Sequence, residues 1–143
     1  MARQAKDGDR RAEPVLQLAR ASRFFGISQI ATLTFTVKNF SIVGLEITEF
    51  RIRSRFSTLR VATSLGSGDS DEEAEKRFQA GWKPIYLGIL PAQQVGSHGS
   101  MHPEIYYIAR KETSGRLLLE LRMRWLDEPD RIFIRRMTFK GPV

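Results

Sequence analysis

The chain has 143 residues, 41% apolar and 27% charged, which suits one domain with its own core and excludes a wholly disordered polypeptide. It contains no Cys, which excludes disulfides, thiolate metal sites and cysteine nucleophiles. The 23 Lys and Arg outweigh 16 Asp and Glu, and the net charge of +7 directs attention to anionic partners, while no apolar run reaches the roughly 18 residues of a membrane-crossing helix.

Residues 1–14 are polar and charged and read as a mobile basic arm; they lack the apolar stretch of a secretory signal, so a cytoplasmic location is expected. Residues 15–143 read as a single β domain. Leu33, Phe35 and Val37 alternate with Thr32, Thr34, Thr36 and Lys38, the period-two signal of a half-buried strand. A second strand runs from Leu45 to Phe56. Its phase slips between Leu45/Ile47 and Phe50/Ile52/Phe56, which predicts a bulge near Glu49. Leu59 to Leu65 reads as a short strand. Ser70 and Glu73 form a capping-box pattern and Gly81 can end the element, so one short helix is expected over 71–80, held down by Phe78.

Ile85 to Leu90 is expected as a strand ending at Pro91, and 91–103 as a loop. Ile105–Arg110 and Arg116–Leu126 flank Glu112-Thr113-Ser114-Gly115 and read as a hairpin. Asp127-Glu128-Pro129-Asp130 is a turn before the last strand, Arg131 to Lys140. The sum is an all-β fold, a small antiparallel barrel or sandwich of about six to eight strands with one short helix.

Few residues nominate chemistry. His98, His102 and Glu104 suggest a metal, but Gly99, Ser100 and Pro103 break any helix that would align them, so an exposed loop is expected and no metal. Asp127 and Asp130 read as turn formers. No serine elbow, phosphate-binding glycine loop or calcium loop is present in the sequence, and no acid and base are paired, so a non-catalytic protein is expected. Arg51, Arg53 and Arg55, with Arg122, Arg124 and Arg135, are expected to form a basic sheet face. Such a face either is simply solvated or tracks single-stranded nucleic acid. The aromatic residues Phe35, Phe56, Trp125 and Phe139 fall on apolar phases, as core residues do.

The most informative constellation joins Arg10 and Arg11 to Asn39, Ser41 and Gly44. Two guanidinium groups on an arm, with an amide, a hydroxyl and a glycine at a strand corner, suit an anionic, guanine-bearing ligand. The plainer reading makes Asn39 and Ser41 turn formers and the arginines solubilising.

On these residues the chain resembles the PilZ domain. Asn39, Ser41 and Gly44 match that family's Asp/Asn-x-Ser-x-x-Gly motif, and Leu45-Glu46-Ile47 continues it. Arg10-Arg11 and Pro14 lie where its arm motif would, and Leu119 to Phe139, with Trp125, is similar to its closing strand pair. The resemblance implies a six-stranded barrel and a cytoplasmic receptor for cyclic-di-GMP, with no other cofactor and with a protein partner responding to the arm. Val15 stands where the second arm arginine belongs, and residues 50–115 form an insertion. The chain also resembles immunoglobulin-like sandwiches of envelope and desiccation-related proteins, through Val37-Lys38-Asn39, Leu90-Pro91 and Trp125-Leu126-Asp127 as strand ends. That likeness implies a structural or assembly module, envelope- or virion-associated, with no small ligand. A basic single-stranded nucleic-acid binder is the third reading.

Overall fold

In the computed structural model the described residues are 13–24, 29–64, 76–85, 89–90, 99–109 and 115–142. Among them eleven strands make two antiparallel sheets. The long strands are β1 (Val15–Phe24), β2 (Ile30–Asn39), β3 (Leu45–Arg53), β10 (Arg116–Trp125) and β11 (Ile132–Lys140). The short ones are β4 (Arg60–Ala62), β5 (Gln79–Ala80), β6 (Lys83–Pro84), β7 (Ile89–Leu90), β8 (Gly99–Met101) and β9 (Glu104–Ile108). The first sheet runs β1-β2-β9-β4-β5 with β8 also on β2. The second runs β11-β10-β3-β6 with β7 also on β3.

The sheets face each other because each strand carries one apolar face that must be buried. Leu33, Phe35, Val37, Val61, Ile105 and Tyr107 point inward from the first sheet. Leu45, Ile47, Phe50, Ile52, Leu117, Leu119, Leu121 and Met123 meet them from the second, all at 2% exposure or less. A smaller cluster of Ile30, Ala62, Phe78 and Ile108 seals the outer side of the first sheet. On one flank β1 packs against β11, bringing together edge strands of two sheets that share no strand ladder there.

Several expectations need correcting. Of the expected barrel or sandwich, the sandwich is what forms, as two open sheets, and the strand number rises to eleven among the described residues because six of them are only two to five residues long. The expected helix over 71–80 lies partly outside the described residues, at 71–75. Lys76 is helical, but Gln79 and Ala80 are strand, paired with Val61 and Arg60. Phe78 is buried as expected, at 2% exposure. Gly99–Met101, expected as loop, pairs with Val37–Asn39. The expected hairpin of 105–126 does not form: β9 pairs with β2 and β4, whereas β10 crosses to the other sheet between β3 and β11. Local alternation is satisfied by either partner, and only the shared core makes the crossing favourable.

The bulge near Glu49 is present. Arg122 pairs with Glu49 and Met123 with Ile47, so Thr48 is the extra residue that lets both halves of β3 face inward. β3 ends at Arg53, however, and Phe56, expected in the core, is 80% exposed in the loop beyond it.

Candidate functional site

The corner between β2 and β3 carries Asn39, Ser41 and Gly44. Val15 pairs with Lys38, so the chain leaves residues 13 and 14 beside this corner. The arm's Arg10 and Arg11 lie outside the described residues. Asn39 and Ser41 are fully buried. The Asn39 Nδ2 donates to the Val43 carbonyl at 2.9 Å, and its Oδ1 accepts from the Ser41 N–H at 2.9 Å. The Ser41 Oγ accepts from the Val43 N–H at 3.0 Å. Gly44 has no left-handed backbone, and its carbonyl accepts the Leu126 N–H at 3.0 Å. These side chains replace the ladder bonds lost where the chain changes sheets. Their polar atoms face inward, which favours the turn reading of the motif.

The outer face of the second sheet is the richest polar surface among the described residues. The carboxylate of Glu120 is completely buried in the middle of β10. Arg51 Nε on β3 lies 2.6 Å from its Oε1, and Arg136 Nε on β11 lies 2.8 Å from its Oε2. Arg53 Nη1 stands 3.8 Å from Oε1. Burial pushes the Glu120 carboxyl up, but the hydrogen bonds and charges of Arg51 and Arg136 pull harder and leave it below the ordinary glutamate value. Higher on the face Arg122 meets Glu49 and Arg124 meets Glu46, each at 3.0 Å. Trp82, on the turn between β5 and β6, lies over two of these cations, 4.4 Å from Arg51 and 3.9 Å from Arg122.

The expected basic face is therefore largely neutralised. Arg51, Arg53, Arg122 and Arg124 share it and are paired with carboxylates. Arg135 does not belong to it: its neighbour Arg136 takes the outer phase, and Arg135 reaches across the flank to Glu13 at 3.0 Å and to the Pro14 carbonyl at 3.2 Å. Arg55 lies beyond the strand, 5.5 Å from the ring of Phe56. The signal for the pairing was present in the sequence, since Glu46, Glu49 and Glu120 occupy the same faces as the arginines. Trp82 carried no such signal.

On the outer face of the first sheet, His102 Nδ1 bonds Thr36 Oγ1 at 3.0 Å, and Glu104 accepts from Tyr106 at 2.7 Å. His98 lies outside the described residues, and among the described residues no three acidic or histidine side chains gather for a metal. Tyr106 is pushed up to about 12 by burial, by its hydrogen bond to Glu104 and by that group's charge. Tyr107 is pushed up to about 12 by burial, against the opposing effect of its hydrogen bond with Ser22. Asp127 and Asp130 lie in the turn after β10, as expected.

No family model matches the chain, and no curated protein matches it in sequence. Among solved structures it is similar to the ASH/PapD-like domain of human CEP192 (PapD-like domain 7), with 14% identity and a TM-score of 0.46, over 92% of this chain and 85% of that one. The PilZ resemblance is corrected: the described strands form two open sheets rather than a six-stranded barrel. The chain is an all-β, two-sheet sandwich, and no helix among its described residues is long and apolar enough to cross a membrane.

Proposed function

We propose that the chain is a non-catalytic structural or assembly module, an immunoglobulin-like sandwich that works by binding another protein. The observation that carries this reading is the state of its polar groups. Asn39 and Ser41 are closed into a turn, Glu120 is held by Arg51 and Arg136, and Tyr107 is tied to Ser22. Buried side chains engaged in this way hold a rigid framework. At the same time Ile42 and Phe56 stand 61% and 80% exposed on loops at the strand ends, apolar contacts of the kind protein interfaces bury.

The test uses the absence of cysteine. A single Phe56→Cys substitution carries a photo-crosslinker, and the protein is irradiated in native extract and then purified. Discrete protein adducts, suppressed when unlabelled wild type is added in excess, are expected. Sedimentation as a strict monomer with no adduct, or saturable calorimetric heat from a nucleotide, would reject the module reading.

A further inference from the structure

The outer face of the second sheet is electrically uneven along its length. At its upper end Arg122 and Arg124 are matched one for one by Glu49 and Glu46. At its lower end the balance fails. Arg116 and Lys140 are directly opposite each other in the β10–β11 ladder, both exposed, and among the described residues neither has an ion-pair partner. Like charges facing across a strand pair destabilise it. Arg53 and Arg136 follow on the same face, opposite Leu118 and Glu120 and 48% and 56% exposed, and among the described residues the carboxylate paired with them is the buried Glu120 already held by Arg51.

Beside Arg116 and Lys140 lies a cavity of about 430 Å³, lined among the described residues by Gly115, Arg116, Thr138, Phe139 and Lys140. Phe139 supplies an apolar lining and Thr138 a hydroxyl. The arrangement asks for an occupant with negative charge on the outside and an apolar group at its centre.

We propose that this end of the sheet docks an extended acidic peptide segment, with carboxylates on Arg116, Lys140 and Arg136 and an apolar side chain between them in the cavity. This rests on the module reading and names the chemistry of its partner. Lys140 and Arg136 are four positions apart on β11, about 13 Å along the strand, which matches carboxylates at positions i and i+4 of an extended peptide with a same-side residue at i+2 between them. A nucleic-acid strand is less well served, because Phe139 is only 5% exposed and Trp82 lies over Arg51 and Arg122, so neither offers an open ring for base stacking.

The probe is a fluorescein-labelled decapeptide in which Asp and Glu flank a central Leu. Fluorescence anisotropy compares it with the same peptide carrying Ser for Leu and with a thymidine oligonucleotide of matched charge. Saturable binding of the Leu peptide is expected, weaker with Ser and weaker for the oligonucleotide. Lys140→Glu removes a cation from the site and gives Arg116 an opposite charge. It is expected to weaken peptide binding about tenfold or more while leaving the melting temperature unchanged or higher. A merely structural role for Lys140 would not separate the two readouts. No saturable peptide binding by the wild type, or unchanged affinity in Lys140→Glu, overturns the proposal. Tighter binding of the oligonucleotide than of the peptide also overturns it, in favour of nucleic acid. Failure here leaves the module reading to its own cross-linking test, which does not use this face.

Discussion

Glu120 and Arg51 lie opposite each other on β10 and β3, with a carboxylate of zero exposure 2.6 Å from a guanidinium that is one-quarter exposed. A buried charge persists only when it is paired and hydrogen-bonded, and here Arg136 completes the pairing from the other side. Three strands of the sheet are thus joined through one carboxylate.

Glu120→Gln keeps the shape and removes the charge, leaving Arg51 and Arg136 without their counter-ion. A loss of about 1–3 kcal/mol in urea unfolding is expected, with an unchanged denaturant slope. The pH dependence has a definite sign. Because the folded carboxyl lies below the ordinary value of 4.5, its stabilisation is full above that value and is lost as pH falls through the lower folded value. Wild type and Glu120→Gln should therefore converge in stability under acid and diverge towards neutrality. Parallel curves down to the lowest accessible pH would contradict this.

Asn39→Ala should destabilise the sandwich by about 1–3 kcal/mol, since it strands the Ser41 N–H and the Val43 carbonyl in a buried corner. Ser41→Ala should also destabilise it, since the Val43 N–H loses its acceptor. Thermal melts rank the two. A neutral Asn39→Ala would mean that the corner is not held as described.

Trp82→Ala removes the ring over Arg51 and Arg122 and is expected to cost about 1–2 kcal/mol. Fluorescence provides an independent check. The remaining tryptophan, Trp125, is 8% exposed and stacked on Phe133 with ring centroids 5.5 Å apart. Emission of the variant should therefore move to shorter wavelength than that of the wild type.

Tyr106 and Tyr107 should ionise only near pH 12, and absorbance titration at the phenolate band will show two of the three tyrosines doing so. Folding favours their neutral forms. The stability they contribute is full below the ordinary value of 10 and is lost as pH rises through about 12. Tyr107→Phe and Tyr106→Phe should each abolish one of the two late steps.

The alternation of Leu33, Phe35 and Val37, the phase slip that becomes the Thr48 bulge, and the turn at 127–130 were all legible along the chain. Period and turn chemistry are local properties, and they determined an all-β fold and the main inward faces. Counting outward from that turn would also have set Glu120 against Arg136 and Arg116 against Lys140, as the ladder has them.

What tertiary structure alone decided is which strand meets which. Ile105–Ile108 and Arg116–Trp125 look like two arms of one hairpin, yet they lie in opposite sheets, because two apolar faces bury more surface by facing each other than by lying side by side. The same crossing brings Arg51 to Glu120 and Trp82 over Arg51 and Arg122, and it turns a row of arginines into a paired ladder with one unbalanced end. Asn39 and Ser41 carry the chemistry of a ligand cradle in sequence, but the direction in which the corner points them is a property of the folded sandwich, and they point inward.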